Sequence, residues 1–171
     1  MKNSYKFYFI SLVLVLSGCQ QKMNQEIVSY EGEKILVGLI DLEGLSAEPY
    51  SFWFNENYQN YVVDESTLDG VDLQGVNIIL FLGTWCSDSQ LQVPQFYKIL
   101  TYLNYDKKGL QMISLEKLEN GDLISPQHEE EGLDIGFVPT MIFYRDGKEL
   151  GRIIEFPKES LEADMARIVG G

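Results

Sequence analysis

A near-continuous apolar run, residues 76–82 (VNIILFL), leads through Gly83 and Thr84 into Trp85-Cys86-Ser87-Asp88-Ser89. A run of that length, bounded by glycines, predicts a strand buried on both faces over residues 76–83. Residues 86–105 then read as a helix, with Leu91, Phe96, Ile99, Leu100 and Leu103 as its apolar face and a kink at Pro94. A cysteine that leaves a buried strand and opens a helix sits among unpaired N–H groups and a partial positive charge, both of which favour a thiolate. The spacing is Cys-x-x-Ser, so the chain keeps an attacking thiol at Cys86 and places a hydroxyl, Ser89, where a second thiol would release it.

The chain has 171 residues and two cysteines. Lys2 and Lys6 precede an apolar stretch over residues 7–16, which closes on Leu16-Ser17-Gly18-Cys19. This is the pattern of a signal peptide over residues 1–18, and its end resembles a bacterial lipobox with Cys19 as the lipidated new N-terminus. An ordinary signal peptide or an uncleaved anchor is the other reading. With Cys19 lipidated, Cys86 is the one free thiol of the mature chain, and no internal disulfide is expected. The net charge of −13 repels phosphate backbones and anionic lipid. Nucleic-acid binding is therefore disfavoured, and membrane attachment is expected through the lipid on Cys19, in the cell envelope facing the periplasm or exterior.

Residues 19–34 are polar and read as a tether; residues 35–171 read as the folded domain. Residues 35–40 predict a first strand. Ser46-Ala47-Glu48-Pro49 reads as a helix start, followed by Tyr50, Trp53, Phe54, Tyr58 and Tyr61 at helical spacing. Core packing explains that aromatic face better than a ligand cage. Residues 109–115 predict a strand, and the acidic residues 116–132 a surface loop. Residues 139–145 and 149–154 predict strands joined at Asp146-Gly147. Pro157 is expected to open a final helix through Val169, with Leu161, Met165, Ile168 and Val169 facing inward. This order predicts an α/β fold: a mixed central sheet with helices on both faces.

The order and its motifs resemble the thioredoxin superfamily over residues 75–169. Trp85-Cys86-Ser87-Asp88-Ser89 stands where the family has Trp-Cys-x-x-Cys. Pro94 stands where its helix carries a proline, Val138-Pro139-Thr140 where it has a cis-proline loop, and Arg145-Asp146-Gly147-Lys148-Glu149 at its last hairpin. The resemblance implies that Cys86 is the nucleophile, that Trp85 shields it, and that a cis Pro139 lies against it. Val138 and Thr140 would then receive an extended peptide by strand-like pairing. Residues 35–61 resemble an N-terminal extension of exported relatives. Three departures stand out. Ser89 replaces the resolving cysteine, and its hydroxyl is expected to donate to the Cys86 sulfur. Leu80 stands where many relatives bury an aspartate. Asp88 brings a carboxylate near the thiol, which opposes the thiolate if close; it also suits the first turn of the helix, and it is expected among the substrate-binding residues.

One thiol supports mixed-disulfide chemistry resolved by a substrate or external thiol, as in isomerisation or thiol-adduct reduction. It does not support turnover as a dithiol reductase. The expected partners are protein or small-molecule thiols and disulfides, with a monomeric chain and no cofactor. The second reading is a redox-inactive binding or capture module on the same fold. His128, the single histidine, lies beside Glu129, Glu130 and Glu131 without metal-ligand spacing, so no metal site is expected. No serine-protease arrangement accompanies Ser89.

Overall fold

The computed structural model describes residues 22–170, so Cys19 and the expected signal peptide lie outside the described residues. In chain order the elements are β1 (Gln25–Val28), β2 (Lys34–Ile40), α1 (Leu42–Ser46), α2 (Ser51–Asn60), β3 (Val76–Leu82) and α3 (Ser87–Tyr102). There follow β4 (Leu110–Ser114), β5 (Glu116–Lys117), β6 (Leu123–Ile124), β7 (Thr140–Arg145), β8 (Lys148–Ile154) and α4 (Leu161–Gly170). Six strands form one sheet in the order β1-β2-β4-β3-β7-β8, and β5 pairs with β6 in a separate ribbon. β3 runs parallel to β4 and antiparallel to β7, so the sheet is mixed. This is the expected thioredoxin-like architecture, a mixed central sheet flanked by helices.

The pleat of β3 divides the core. Ile78, Leu80 and Leu82 join Phe54 of α2, Phe96, Ile99 and Leu100 of α3, and Leu161, Met165 and Ile168 of α4. Phe81 points the other way, with Ile113, Leu115, Val138 and Ile142. On that second face the covering side chains, among them Leu123, Leu133 and Ile135, come from the segment after β4. The cover expected from a helix is supplied there by side chains of the β5–β6 ribbon and of the turns that follow it, because that segment holds no helix. The turn at Asp146 (φ 52°) and Gly147 (φ 74°) has both central residues left-handed, as a two-residue hairpin requires.

Four local expectations are corrected. Part of the expected tether is a strand: β1 pairs antiparallel with β2, Gln25 opposite Val37 and Val28 opposite Lys34. Its Glu26 accepts from Tyr50 Oη (3.2 Å) and meets Lys34 Nζ (2.9 Å), contacts that polarity alone does not reveal. Pro49 does not open α2; the Glu48–Pro49 peptide is cis, and the helix begins at Ser51 after a separate short α1 capped by Asp41. Pro157 does not open the last helix either. α4 begins at Leu161 because Ser160 caps it, its Oγ accepting from Ala163 N at 3.0 Å. Leu91 faces outward, 44% exposed, since the buried stripe of α3 runs through Ser89, Gln92, Val93, Phe96, Ile99 and Leu100.

Pro94 lies inside α3 and has no N–H to give to the carbonyl one turn earlier, that of Gln90. Asn57 Nδ2 donates to that carbonyl at 3.1 Å, and to Trp53 O of its own helix at 3.0 Å. The proline in the site helix is thus matched by an amide from α2. Asn57→Ala is expected to lower stability by about 1 kcal/mol, the usual cost of a lost hydrogen bond, measured by denaturant unfolding. Tyr105 Oη donates to Val76 O at 2.8 Å, and burial, then the charge of Asp106, push the phenol up to about 12. The folded chain therefore holds this proton more tightly than the unfolded one. That contribution to stability is complete below about pH 10 and is lost between about pH 10 and pH 12. Tyr105→Phe should flatten the fall in unfolding free energy across that window.

Candidate functional site

β3 delivers the chain to the site through Gly83 and Thr84, both buried. Cys86 occupies the N-cap of α3 in extended backbone (φ −89°, ψ 122°), and its carbonyl accepts the first helical bond from Gln90 N at 2.9 Å. The thiol is half-buried. Its Sγ donates to the carbonyl of Val138 at 3.4 Å, and the next peptide, Val138–Pro139, is cis. The structure thus sets the Cys86 thiol against the Val138 carbonyl, one peptide before Pro139 and Thr140. The cause is topological: β3 and β7 are neighbours, with Phe81 opposite Thr140, so the end of one strand meets the start of the other.

The loop before Cys86 is tied on three sides. Thr84 Oγ1 accepts from Leu36 N of β2 (3.1 Å), and its carbonyl accepts from Gln90 Nε2 (2.8 Å). Trp85 Nε1 donates to Leu115 O (2.8 Å), and Lys117 Nζ stands 5.7 Å from the ring centroid. The indole lies across Gly83: a Cβ there would come within 2.6 Å of Trp85 Cε2, so the glycine is required by close approach. Ser89 is fully buried, and its Oγ accepts from Gly83 N at 3.2 Å. That hydroxyl meets the strand end, where donation to the Cys86 sulfur is the sequence expectation. The reason is helical phase, since residue 89 falls on the inward stripe of α3. Leu80 is fully buried in the main core. Asp88 stands in the first turn of α3, half-buried, where a carboxylate complements the helix end.

Sequence reasoning missed the rim. Phe137 is 56% exposed, Ile154 47% and Phe156 54%. They flank the proline loop: Phe137 stands two residues before Pro139 and gives its carbonyl to Thr140 Oγ1 (2.8 Å), and Ile154 pairs opposite Thr140. Three exposed apolar side chains thus stand around one loop. The signal was present as Ile153-Ile154-Glu155-Phe156 running past the expected strand end. His128 (φ 59°), in the acidic segment, lies in an exposed turn, its Nδ1 3.3 Å from Glu130 Oε1. Glu130 also accepts from the N–H and hydroxyl of buried Ser125, so this carboxylate organises a turn; burial pushes its carboxyl up, but the hydrogen bonds from Ser125, a backbone N–H and His128 together outweigh it and hold it below the usual range. Among the described residues no group of three or more His, Cys, Asp or Glu is placed to hold a metal ion.

No family model matches the chain. A thioredoxin of Staphylococcus saprophyticus is 27% identical over 100 residues, covering 58% of this chain and 88% of that protein. This supports a thioredoxin-like relationship. Two solved structures are loosely similar, at levels too slight to bear on function. A protein of unknown function from Pseudomonas aeruginosa has a TM-score of 0.41 and 13% identity, covering 70% of this chain and 79% of that one. An HIV epitope-scaffold has a TM-score of 0.36 and 15% identity, covering 71% of this chain and 73% of its own. The tight seat of Trp85 yields a prediction. Gly83→Ala should displace the indole, lower stability by about 1–3 kcal/mol as overpacking does, and shift the tryptophan emission maximum.

Proposed function

We propose that this chain is an exported thioredoxin-like thiol–disulfide oxidoreductase that works through Cys86 alone. The observation that carries the reading is the half-buried Cys86 thiol held 3.4 Å from the carbonyl before cis Pro139, at the start of a helix. The thiolate attacks one sulfur of a substrate disulfide; a new S–S bond forms to Cys86 and the other substrate sulfur leaves as thiolate. Ser89 holds no electrons to give back, and its oxygen is engaged by Gly83. A second thiolate, from the substrate or from an external protein or small-molecule thiol, attacks the mixed disulfide and frees Cys86. When that thiol belongs to the substrate, the net result is isomerisation; when it is external, the sulfur that left first stays a free thiol, and the external thiol ends disulfide-bonded to the sulfur that Cys86 had held.

Delivery to the envelope follows from the signal pattern over residues 1–18 and lipidation of Cys19, with residues 20–24 lying in sequence between the anchor and β1. No helix among the described residues is long and apolar enough to cross a membrane. The charge of −13 is at odds with a nucleic-acid partner. A monomeric chain meeting thiol or disulfide partners through the Phe137–Ile154–Phe156 rim completes the proposal. The buried, engaged Ser89 also favours a second reading, a capture module that holds a partner on Cys86 and does not turn over.

Trapping and alkylation test both readings. The full chain is expected to form mixed disulfides with envelope proteins, and Cys86→Ser to lose them all; Cys19→Ala should keep them and lose membrane attachment. If Cys86 alkylates no faster at pH 7 than a cysteine peptide, and Cys86→Ala alters no partner's redox state, the oxidoreductase reading fails. Adducts that form but are not released by added thiols would favour capture.

A further inference from the structure

Gln92 is 4% exposed, lies in the middle of α3, and has one satisfied end. Its Nε2 donates to the carbonyl of Glu155 at 2.5 Å, while its Oε1 is buried without a hydrogen-bond partner among the described residues. Rotating the amide would set Oε1 against the Glu155 carbonyl, acceptor against acceptor, so the observed orientation is the better one. A leucine or methionine would fill this place without stranding an acceptor. A buried orphan acceptor is costly and calls for a reason.

The reason lies in what the donated hydrogen bond holds. Glu155 has φ +58°, uncommon for a side chain other than glycine. Phe156 N donates to Ile154 O at 2.6 Å, closing a γ-turn centred on Glu155, and Glu155 N donates to Pro139 O at 2.8 Å. Both peptide groups flanking this strained residue are therefore fixed, one by the cis-proline loop and the other by the helix that carries Cys86. The turn reverses the chain so that Ile154 and Phe156 both remain exposed beside that loop. Backbone strain maintained by surrounding contacts is characteristic of functional sites.

We infer that Gln92 is a positioning residue: from the interior of α3 it latches the Glu155 turn, and so fixes the apolar rim of Ile154 and Phe156 against the Cys86 nucleophile for polypeptide substrates. This rests on the thiol–disulfide exchange proposed above. The latch belongs to substrate engagement and not to thiol reactivity, because Gln92 makes no hydrogen bond to the sulfur or to the residues that seat it. A small neutral reagent reaching Cys86 does not need the rim; an extended polypeptide does.

The test uses the full chain with Cys19→Ala, so that Cys86 is the one thiol. Gln92→Met is expected to slow mixed-disulfide formation with a disulfide-bonded peptide about five- to tenfold, the worth of one hydrogen bond, and to leave iodoacetamide alkylation within about twofold. Adding Glu155→Gly should restore most of the peptide rate, since glycine holds a positive φ without a latch. Amide hydrogen exchange at Glu155 and Phe156 should quicken about five- to tenfold in Gln92→Met, since that bond no longer holds the turn. Unchanged exchange and peptide rates in Gln92→Met, equal slowing of peptide and iodoacetamide, or no rescue by Glu155→Gly would each overturn the inference. If the unsubstituted chain forms no peptide adduct while Gln92→Met still loosens the turn, the oxidoreductase reading falls and the latch stands.

Discussion

The geometry of the site depends on β3 being hydrogen-bonded on both sides. Phe81 pairs with Ile113 of β4 on one side and Thr140 of β7 on the other. A strand held this way has no freedom to slip, because a shift by one residue would exchange Leu80 and Phe81 between two separate cores. The strand end then fixes Gly83 and Thr84, the helix start fixes Cys86, and the start of β7 fixes the Val138 carbonyl that the thiol meets. A sulfur–oxygen contact across 52 positions of sequence is thus a consequence of sheet register.

The N-terminal part of the domain takes a share in this. β2 supplies Leu36 N to Thr84 Oγ1 and Leu36 O to Ser114 Oγ, so two buried hydroxyls around β3 and β4 are satisfied by one residue. α2 supplies Asn57 to the carbonyl that Pro94 leaves free in α3, and its Phe54 packs against Tyr97 with ring centroids 6.0 Å apart. Buried Glu162 in α4 accepts the one O–H of Tyr61, whose Oη lies 2.8 and 2.9 Å from its two carboxylate oxygens, and the N–H of Asp64 (3.2 Å), closing the segment after α2 onto the last helix. Burial first, and then this carboxylate, push the Tyr61 phenol well above its usual range. The extension is therefore structural support for the helix that carries Cys86.

Serine at position 89 fits the same logic. A side chain on the inward stripe of α3 that must meet a backbone N–H needs a small acceptor, and the hydroxyl supplies it to Gly83. In the proposed chemistry this position holds no second thiol, and its hydroxyl serves the strand end. The proposed dependence on an outside thiol and the exposed rim that would receive a polypeptide are two sides of one arrangement.

The buried strand, the cysteine at a helix start, the Asp146-Gly147 turn and the approach of Cys86 to the loop before Pro139 are legible in residues 76–147. The first three rest on hydrophobic period and turn chemistry, which are local properties of the chain; the fourth rests on family resemblance. The start of α4 is not legible, because a proline signal at 157 competes with a serine cap at 160, and only the contacts of Ser160 decide between them. β1 is hidden because edge strands carry polar residues, and Gln25 and Glu26 declare themselves as strand only when Val37 and Leu36 lie opposite. The rim, the direction of Ser89 and the Gln92–Glu155 contact depend on which elements become neighbours. Local pattern alone thus sets a thiol at the end of a core strand. What faces that thiol is a matter of folding, because contacts between residues 50 or more positions apart are set by sheet order, to which no short stretch of chain has access.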